Sequence, residues 1–367
     1  MIRILIFGIT DNVGGVESVI MNYYRNIDRN KIQFDFLCNT KLVVYEKEIL
    51  SLGGKIYRIT ARFKNRKRFK KELEYIFKNH SKDYSAIWVN ICSLANIDYL
   101  KYAKKYGIKK RIIHGHNSQN MDSKLRKILH NINKLYIEKY ATDFWACSEE
   151  AGKFFYNASI LRSDKYRIIN NAIDINKYSY NSNIREEYRK KLDISEKLVF
   201  GNIGRLHFQK NQAFVLRVFN EILKKEKDSI LLVIGQGEDE CMLKKLVKKF
   251  NIEDCVKFLG IRDDIENVLQ AMDIFLFPSL FEGLPLVLIE AQASNILIFA
   301  SDIISNKVKI SSNINFLPLS KNEKFWCDRI LSEKKHINDR KCNIDIISNY
   351  GFDISIETKK LEKYLES

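Results

Sequence analysis

The sequence predicts an α/β protein built from two doubly wound, parallel-sheet domains, and three observations carry that expectation. Short apolar strand-type runs alternate with helix-type patterns from the first residues onward. The alternation restarts near Lys197 as a second cycle of similar rhythm. A chain of 367 residues is long for one core and comfortable for two, and 46% hydrophobic residues are enough to fill both. Strands joined by crossover helices pair in parallel and are covered on both faces.

In the first cycle, strands are expected at 2–8, 34–39, 55–60, 85–90, 110–116, 143–148 and 166–170. Helices at 16–26, 44–51, 66–79, 94–106, 123–140 and 149–157 fill most of the gaps. The second cycle places strands at 197–203, 230–235, 256–260, 274–278, 296–300 and 314–319. Its helices are expected at 211–226, 239–250, 264–272 and 285–294, with another near 322–335. The polar stretch Lys177–Arg189 between the cycles is the expected joint, which gives domains at 1–176 and 177–350. Residues 351–367, with the amphipathic end Ile354–Leu365, are expected to pack back on the first domain. Ligands of such sheets bind at the carboxyl ends of strands, so two facing domains would place their loops around one cleft.

Composition narrows the class further. Seven cysteines lie at 38, 92, 147, 241, 255, 327 and 342 with no Cys-x-x-Cys pair, which is neither a zinc nor a disulfide framework. The start MIRILIFGIT lacks the features of a signal peptide, and no run approaches 18 apolar residues. A cytoplasmic protein that does not span a membrane is expected. The net charge of +17 sits almost wholly in the first half, where residues 1–180 hold 33 Lys+Arg against 17 Asp+Glu. Its densest run is Arg62–Lys71, leading into a helix with Phe63, Phe69, Leu73, Ile76 and Phe77 as its apolar residues. A basic face of this kind serves nucleic acid, anionic lipid or an anionic substrate, or is simply solvated.

Four stretches carry chemistry. After the first strand, Gly14-Gly15 precedes the helix bearing Glu17, either as a tight turn or to let backbone approach a phosphate or sugar. The fourth and fifth strands end in WVNICS and HGHNSQ, bringing Asn90, His114, His116 and Asn117 to strand ends. Imidazole there donates to a hydroxyl or, if protonated, steadies charge. The second cycle opens with VFGNIGRLHFQKN, where Gly204 follows the strand and Arg205 and Lys210 suit a pyrophosphate without a metal. The next strand ends in IGQGED, with Gly235 and Gly237 at a close-approach turn and Glu238 placed to cap the following helix.

The fullest signal is Phe275–Ser294, FLFPSLFEGLPLVLIEAQAS. A buried run breaks at Pro-Ser, then presents Glu282 on a Glu-Gly turn, Pro285 at a helix start, and Glu290 about a turn and a half inside that helix. The two carboxylates read either as an acid/base or binding pair in one pocket, or as solvated glutamates of an ordinary strand-turn-helix.

Taken together, GGVES, GRLHFQKN, IGQGED and PSLFEGLPLVLIEAQ, in this order across nearly the whole chain, resemble the retaining glycosyltransferases of family 4. The last stretch matches that family's Glu-x7-Glu signature. The resemblance implies the GT-B fold of two facing Rossmann-like domains and, among members, bacterial enzymes of capsule or exopolysaccharide synthesis. It implies that Glu282, with the Gly283 and Leu284 amides, contacts the transferred sugar and that Glu290 holds the ribose. Arg205 and Lys210, beside Gly204 and Gly235, would bind the departing diphosphate, and Gly15 would let its loop close on the donor. His116 matches a second His of the polysaccharide-building members and is the nearest candidate for polarising sugar or acceptor. Where many members carry a His after the fourth strand this chain has Asn90, and His114 remains an alternate.

The implied reaction moves a sugar from a nucleotide-sugar, a UDP-sugar first, to a hydroxyl of a glycan acceptor with retained configuration. No cofactor or metal is implied, because side-chain cations and a helix N-terminus take the electrostatic role. The implied acceptor is a sugar on a polyprenyl diphosphate, and the basic first domain would attach reversibly to the inner face of an anionic membrane. The rivals are another GT-B enzyme, such as a sugar-nucleotide epimerase, and a non-catalytic basic binding protein. Nucleic acid is disfavoured as a partner, since no recognised motif is present and carboxylates sit beside the cationic loops.

Overall fold

The computed structural model describes residues 1–12, 14–118, 124–338, 340 and 344–366. The chain divides into two compact units, Met1–Ala172 with Asp353–Ser367, and Ile173–Phe352. In the first unit seven strands form one sheet: β1 (Ile2–Phe7), β2 (Ile32–Cys38), β3 (Ile56–Arg58), β4 (Ala86–Ile91), β5 (Lys110–Gly115), β6 (Asp143–Ala146) and β7 (Tyr166–Ile168). Their order is β3-β2-β1-β4-β5-β6-β7 and every neighbouring pair is parallel. The chain winds from β1 out to β3, then returns to lay β4 on the other side of β1. Such a reversal opens a crevice beyond the carboxyl ends of the two strands concerned.

Helices cover both faces, so β2 is buried at every residue and shows no alternation. Its one charge, Asp35, is fully buried and compensated: Arg3 donates to it through Nε at 3.0 Å and Nη2 at 2.6 Å, and the Tyr84 hydroxyl donates at 2.9 Å. The Arg66–His80 helix starts at Asn65, whose side chain accepts from the Arg68 amide at 3.0 Å. It buries Phe69, Leu73, Ile76 and Phe77, four of the five apolar residues expected on it; the fifth, Phe63, precedes the helix and is 86% exposed. The C-terminal helix Ile354–Glu366 belongs to this unit, with Leu361 and Leu365 buried and Glu362 accepting from the Asp28 amide at 2.7 Å.

The second unit repeats the plan with six strands, β8 (Leu198–Ile203), β9 (Ser229–Ile234), β10 (Val256–Gly260), β11 (Ile274–Phe277), β12 (Leu297–Ser301) and β13 (Ile314–Leu317). The order β10-β9-β8-β11-β12-β13 puts its reversal between β8 and β11. Central β9 is buried throughout, and Trp326 closes the core against Phe214, ring centroids 5.3 Å apart.

The stretch Lys177–Arg189, expected as the joint, is largely helical: short helix Ile175–Tyr178 and helix Ser182–Lys191 belong to the second unit, which begins at Ile173. The stretch reads as polar because its anchors are charged. Arg185 and Arg189 reach buried Asp273, and the Tyr188 hydroxyl donates to Asp264 at 2.8 Å. Among the described residues, no helix is long and apolar enough to cross a membrane.

Candidate active site

The second unit's reversal is where its chemistry collects. Beyond β8 the chain turns through Gly204 and Arg205 into the short 3-10 turn Phe208–Lys210, and Asn211 at φ +56 starts the Gln212–Leu223 helix. Beyond β11, residues 278–285 lead to the Leu286–Ala293 helix. Hydrogen bonds stitch these loops together. Leu280 N donates to Gln209 O at 2.8 Å, Gln209 Nε2 to Phe281 O at 2.9 Å, and Asn211 Nδ2 to Pro278 O at 3.1 Å.

The stitching brings Lys210 Nζ to 2.7 Å from Glu282 Oε1, with only 18% and 8% of the two side chains exposed. Lys210 also lies over the Phe277 ring, 4.9 Å from its centroid. So little water surrounds the pair that each charge depends on the other; a lone partner would be a nearly buried ion. The Gly283 and Leu284 amides follow in a half-buried bend, and among the described residues neither donates to a protein acceptor.

Arg205 is exposed, and its Nη2 stands 3.1 Å from Glu238 Oε2. The other oxygen of Glu238 lies 3.2 Å from His207 Nε2. The Glu238 carboxyl is held below its ordinary range, first by a backbone hydrogen bond and then by the charges of Arg205 and His207. Glu238 thus partners the cationic loop, and the Glu240–Phe250 helix starts without a side-chain cap.

Gly235 explains how that loop keeps its shape. Its φ is +131, and a Cβ there would fall 2.0 Å from the Gly204 carbonyl oxygen. The space left by the missing side chain is filled by the loop itself. Gly235→Ala is therefore expected to displace residues 204–206 and to cost about 1–3 kcal/mol through forced backbone strain. A urea midpoint equal to the parent's would contradict this.

Glu290 occupies the fifth position of the Leu286–Ala293 helix and has a different set of partners. Desolvation raises its carboxyl to about 7, moderated by a hydrogen bond with the Tyr178 side chain, while Glu266 raises it and Lys177 lowers it. The structure thus ties Glu282 to the Lys210 loop and Glu290 to the short helix Ile175–Tyr178.

In the first unit the β1/β4 reversal gathers three of the residues picked out from the strand ends. Asn90 is buried, donates through Nδ2 to Phe7 O at 3.3 Å, and accepts through Oδ1 from His116 Nε2 at 2.9 Å. His116 is half-buried, and desolvation lowers its pKa to about 3, so it is neutral at pH 7 and carries no charge for the site. His114 is fully buried, stacked on Trp88 with ring centroids 5.8 Å apart, and neither ring nitrogen has a partner among the described residues. Of the three, only His116 presents surface to a ligand. A Cβ on Gly15 would meet nothing within 4 Å, so that position is open, and Glu17 beyond it is buried and accepts from the Thr10 hydroxyl at 2.5 Å.

Sequence reasoning missed the Glu238–His207 contact and the Tyr178–Glu290 hydrogen bond. The first was visible only as a His inside GRLHFQKN and a Glu in IGQGED. The second had no local signal, because 178 and 290 are joined only by the fold.

Two doubly wound units, one with a cationic loop and a paired Glu at its switch point, define the two-domain Rossmann-like GT-B class. The family model for "Glycosyl transferases group 1" matches residues 184–324. The putative glycosyltransferase EpsF of Bacillus subtilis is 30% identical over 328 residues, 87% of this chain and 84% of that protein. An Escherichia coli protein named UDP-Gal:alpha-D-GlcNAc-diphosphoundecaprenol alpha-1,3-galactosyltransferase is 27% identical over 207 residues, 55% of this chain and 54% of its own. The crystal structure of Anabaena Alr3699/HepE in complex with UDP and glucose matches all of both chains at a TM-score of 0.77 and 17% identity. The chain belongs to the group 1 glycosyl transferases and is a glycosyltransferase of the family-4 type.

Proposed function

We propose that this glycosyltransferase moves a sugar from a UDP-sugar to a hydroxyl of a polyprenyl-diphosphate-linked glycan, with retained configuration, during surface polysaccharide assembly. The observation that carries the reading is the nearly buried Lys210–Glu282 pair at the β8/β11 switch point. Donor and acceptor class are supported by the name of the E. coli relative, which couples UDP-Gal to a diphosphoundecaprenol acceptor.

Each group is assigned by its chemistry. Lys210 and Arg205 take the diphosphate and stabilise its charge as the glycosidic bond breaks, which is the main electrostatic demand of an oxocarbenium-like transition state. Lys210 neutralises Glu282, so that carboxylate can sit beside a diphosphate and still accept from sugar hydroxyls. Among the described residues the Gly283 and Leu284 amides have no protein acceptor, and they are assigned to the same end of the donor. Glu290 accepts from the ribose. His116, neutral and tethered by Asn90, polarises the acceptor hydroxyl, and the departing phosphate takes its proton. These cations carry the role that a metal holds in other transferases, so the reaction proceeds without one. The Arg62–Lys71 run attaches the enzyme to the inner face of an anionic membrane, each cation near it contributing about 1 kcal/mol.

The test is a thermal-shift screen of UDP, GDP and ADP with their sugars, followed by product analysis. A nucleotide at 100 times its Kd stabilises by about 2.7 kcal/mol. Stabilisation by UDP-sugars together with transfer to a diphospholipid-linked acceptor is expected, and silence across all three nucleotides would reject the reading.

Glu290 supplies a pH test. If the ribose binds the ionised carboxylate, UDP affinity rises with pH through about 7 and falls about tenfold from pH 8 to pH 6. The Glu290→Gln protein should show a flat profile by calorimetry. Stability of the nucleotide-free protein runs the other way. The folded state holds the proton up to about 7, against an ordinary 4.5, so this group's contribution is lost as pH rises across that window.

A further inference from the structure

The Lys124–Tyr136 helix is mounted inside out. Its polar side is the side turned inward. His130 is buried, accepts from the Leu94 amide through Nδ1 at 3.1 Å and contacts the Phe154 carbonyl through Nε2 at 3.1 Å. Asn133 donates to the Leu94 carbonyl at 2.6 Å, and Lys134 donates to the Lys153 and Phe154 carbonyls at 2.7 and 2.8 Å. The apolar side is left outside: Leu125 is 65% exposed, Ile128 55%, Ile132 47%, Leu135 71% and Tyr136 57%. At about 100° per residue these five fall within one arc of roughly 100°. Water-facing helices have the opposite arrangement, and a contiguous exposed apolar face marks an interaction surface.

The surroundings say what covers it. Lys124 and Lys127 are exposed on the same helix. The Arg62–Lys71 run adjoins it, because Arg62 donates to the Ala95 carbonyl at 3.4 Å while Asn133 holds the carbonyl of Leu94 next door. Within that run Lys64, Arg66, Lys67, Arg68, Lys70 and Lys71 are exposed, and Phe63 is 86% exposed. An apolar arc bordered by cations is the chemistry of a helix lying in the headgroup layer of an anionic bilayer. We propose that the Lys124–Tyr136 helix inserts its Leu125–Leu135 face into an anionic lipid surface, converting salt-sensitive attraction by Arg62–Lys71 into anchoring that persists at high salt. The inference deepens the proposed membrane attachment and rests on it for the choice of partner.

The test is co-sedimentation of the full chain with phosphatidylglycerol-containing and pure phosphatidylcholine vesicles, at low salt and at 1 M salt, where the Debye length is about 3 Å. The parent is expected to keep binding the anionic vesicles at 1 M salt. The triple variant Ile128→Ser, Ile132→Ser, Leu135→Ser should lose that salt-resistant fraction by about tenfold or more. Its fold should be intact, since the three side chains are exposed. An Ile132→Trp protein adds a direct readout: Trp88, Trp145 and Trp326 are all fully buried, so a blue shift and quenching by brominated lipid report the new residue. Vesicle binding unchanged by the triple substitution would overturn the inference and leave the electrostatic attachment standing. So would a lipid-free dimer of the parent that the same substitution dissolves, which would assign the face to a second copy. A parent that responds to UDP and binds no vesicles would overturn this inference and leave the transfer reaction untouched.

Discussion

Replacing Lys210 with alanine is expected to lower kcat/KM for the UDP-sugar by about 10²–10³, the loss seen when one preorganised donor to a transition-state charge is removed. Two effects compete for this result and can be told apart. Removing Lys210 strands Glu282, whose side chain is only 8% exposed, and breaking such a pair costs about 3–5 kcal/mol of stability. It also deletes the cation assigned to the diphosphate. Glu282→Ala strands Lys210 in the same way but leaves that cation present. If the pair matters only for folding, the two single variants should lose stability alike, and the double variant should recover part of it with turnover to match. If Lys210 acts on the diphosphate, the double variant recovers stability and stays as slow as Lys210→Ala, because groups acting as a unit are not additive. Urea midpoints and single-turnover UDP release on all four proteins decide the matter. Turnover of Lys210→Ala within threefold of the parent would remove Lys210 from the mechanism.

How much of this was legible in the sequence depended on whether the signal was local. Both sheets were, because a parallel strand covered on two faces leaves an apolar run such as SILLVI, and crossover helices leave apolar residues three and four apart, as in Phe69, Leu73, Ile76 and Phe77. The Glu-Gly turn and the cations of GRLHFQKN were also visible, since each lies in one continuous stretch. That Lys210 is the partner of Glu282, 72 residues away, was not. Nor was the reason for Gly235, whose missing side chain makes room for the Gly204 carbonyl. His114 and His116 look equivalent in HGHN, and only burial separates a neutral core ring from one with a face to solvent. The inside-out helix was hidden for a related reason. Periodicity finds an apolar face and assigns it inward by default, whereas here three polar side chains reach the backbone carbonyls and amide that fix the opposite side.

A loss of stability as large as that of breaking the Lys210–Glu282 pair is expected of Asp273→Ala. Asp273 opens the turn into β11 and is only 5% exposed. Its carboxylate is shared by the Arg185 guanidinium, by Arg189 Nη1 at 3.2 Å and by the Val199 amide at 2.8 Å, while its own amide donates to the Val199 carbonyl at 2.8 Å. Val199 lies in β8, so this one side chain fastens the two strands at the switch point to each other and to the Ser182–Lys191 helix. Deleting it leaves two guanidinium groups, 18% and 11% exposed, without their counter-ion and orphans a buried amide. Loss of about 3–5 kcal/mol follows, a fifth or more of the 5–15 kcal/mol that an ordinary domain has. Trp326 is the only tryptophan between 173 and 352, so its fluorescence during urea unfolding reports this unit separately from Trp88 and Trp145. Asp273→Asn keeps the acceptor for Val199 without the charge and should fall between parent and alanine. Because β8 and β11 carry the Lys210 and Glu282 loops, UDP-induced stabilisation should weaken in the same order. A midpoint shift equivalent to less than about 1 kcal/mol in the alanine protein would mean that the arginines find water or other acceptors at no cost, and that the network does not hold the switch point together.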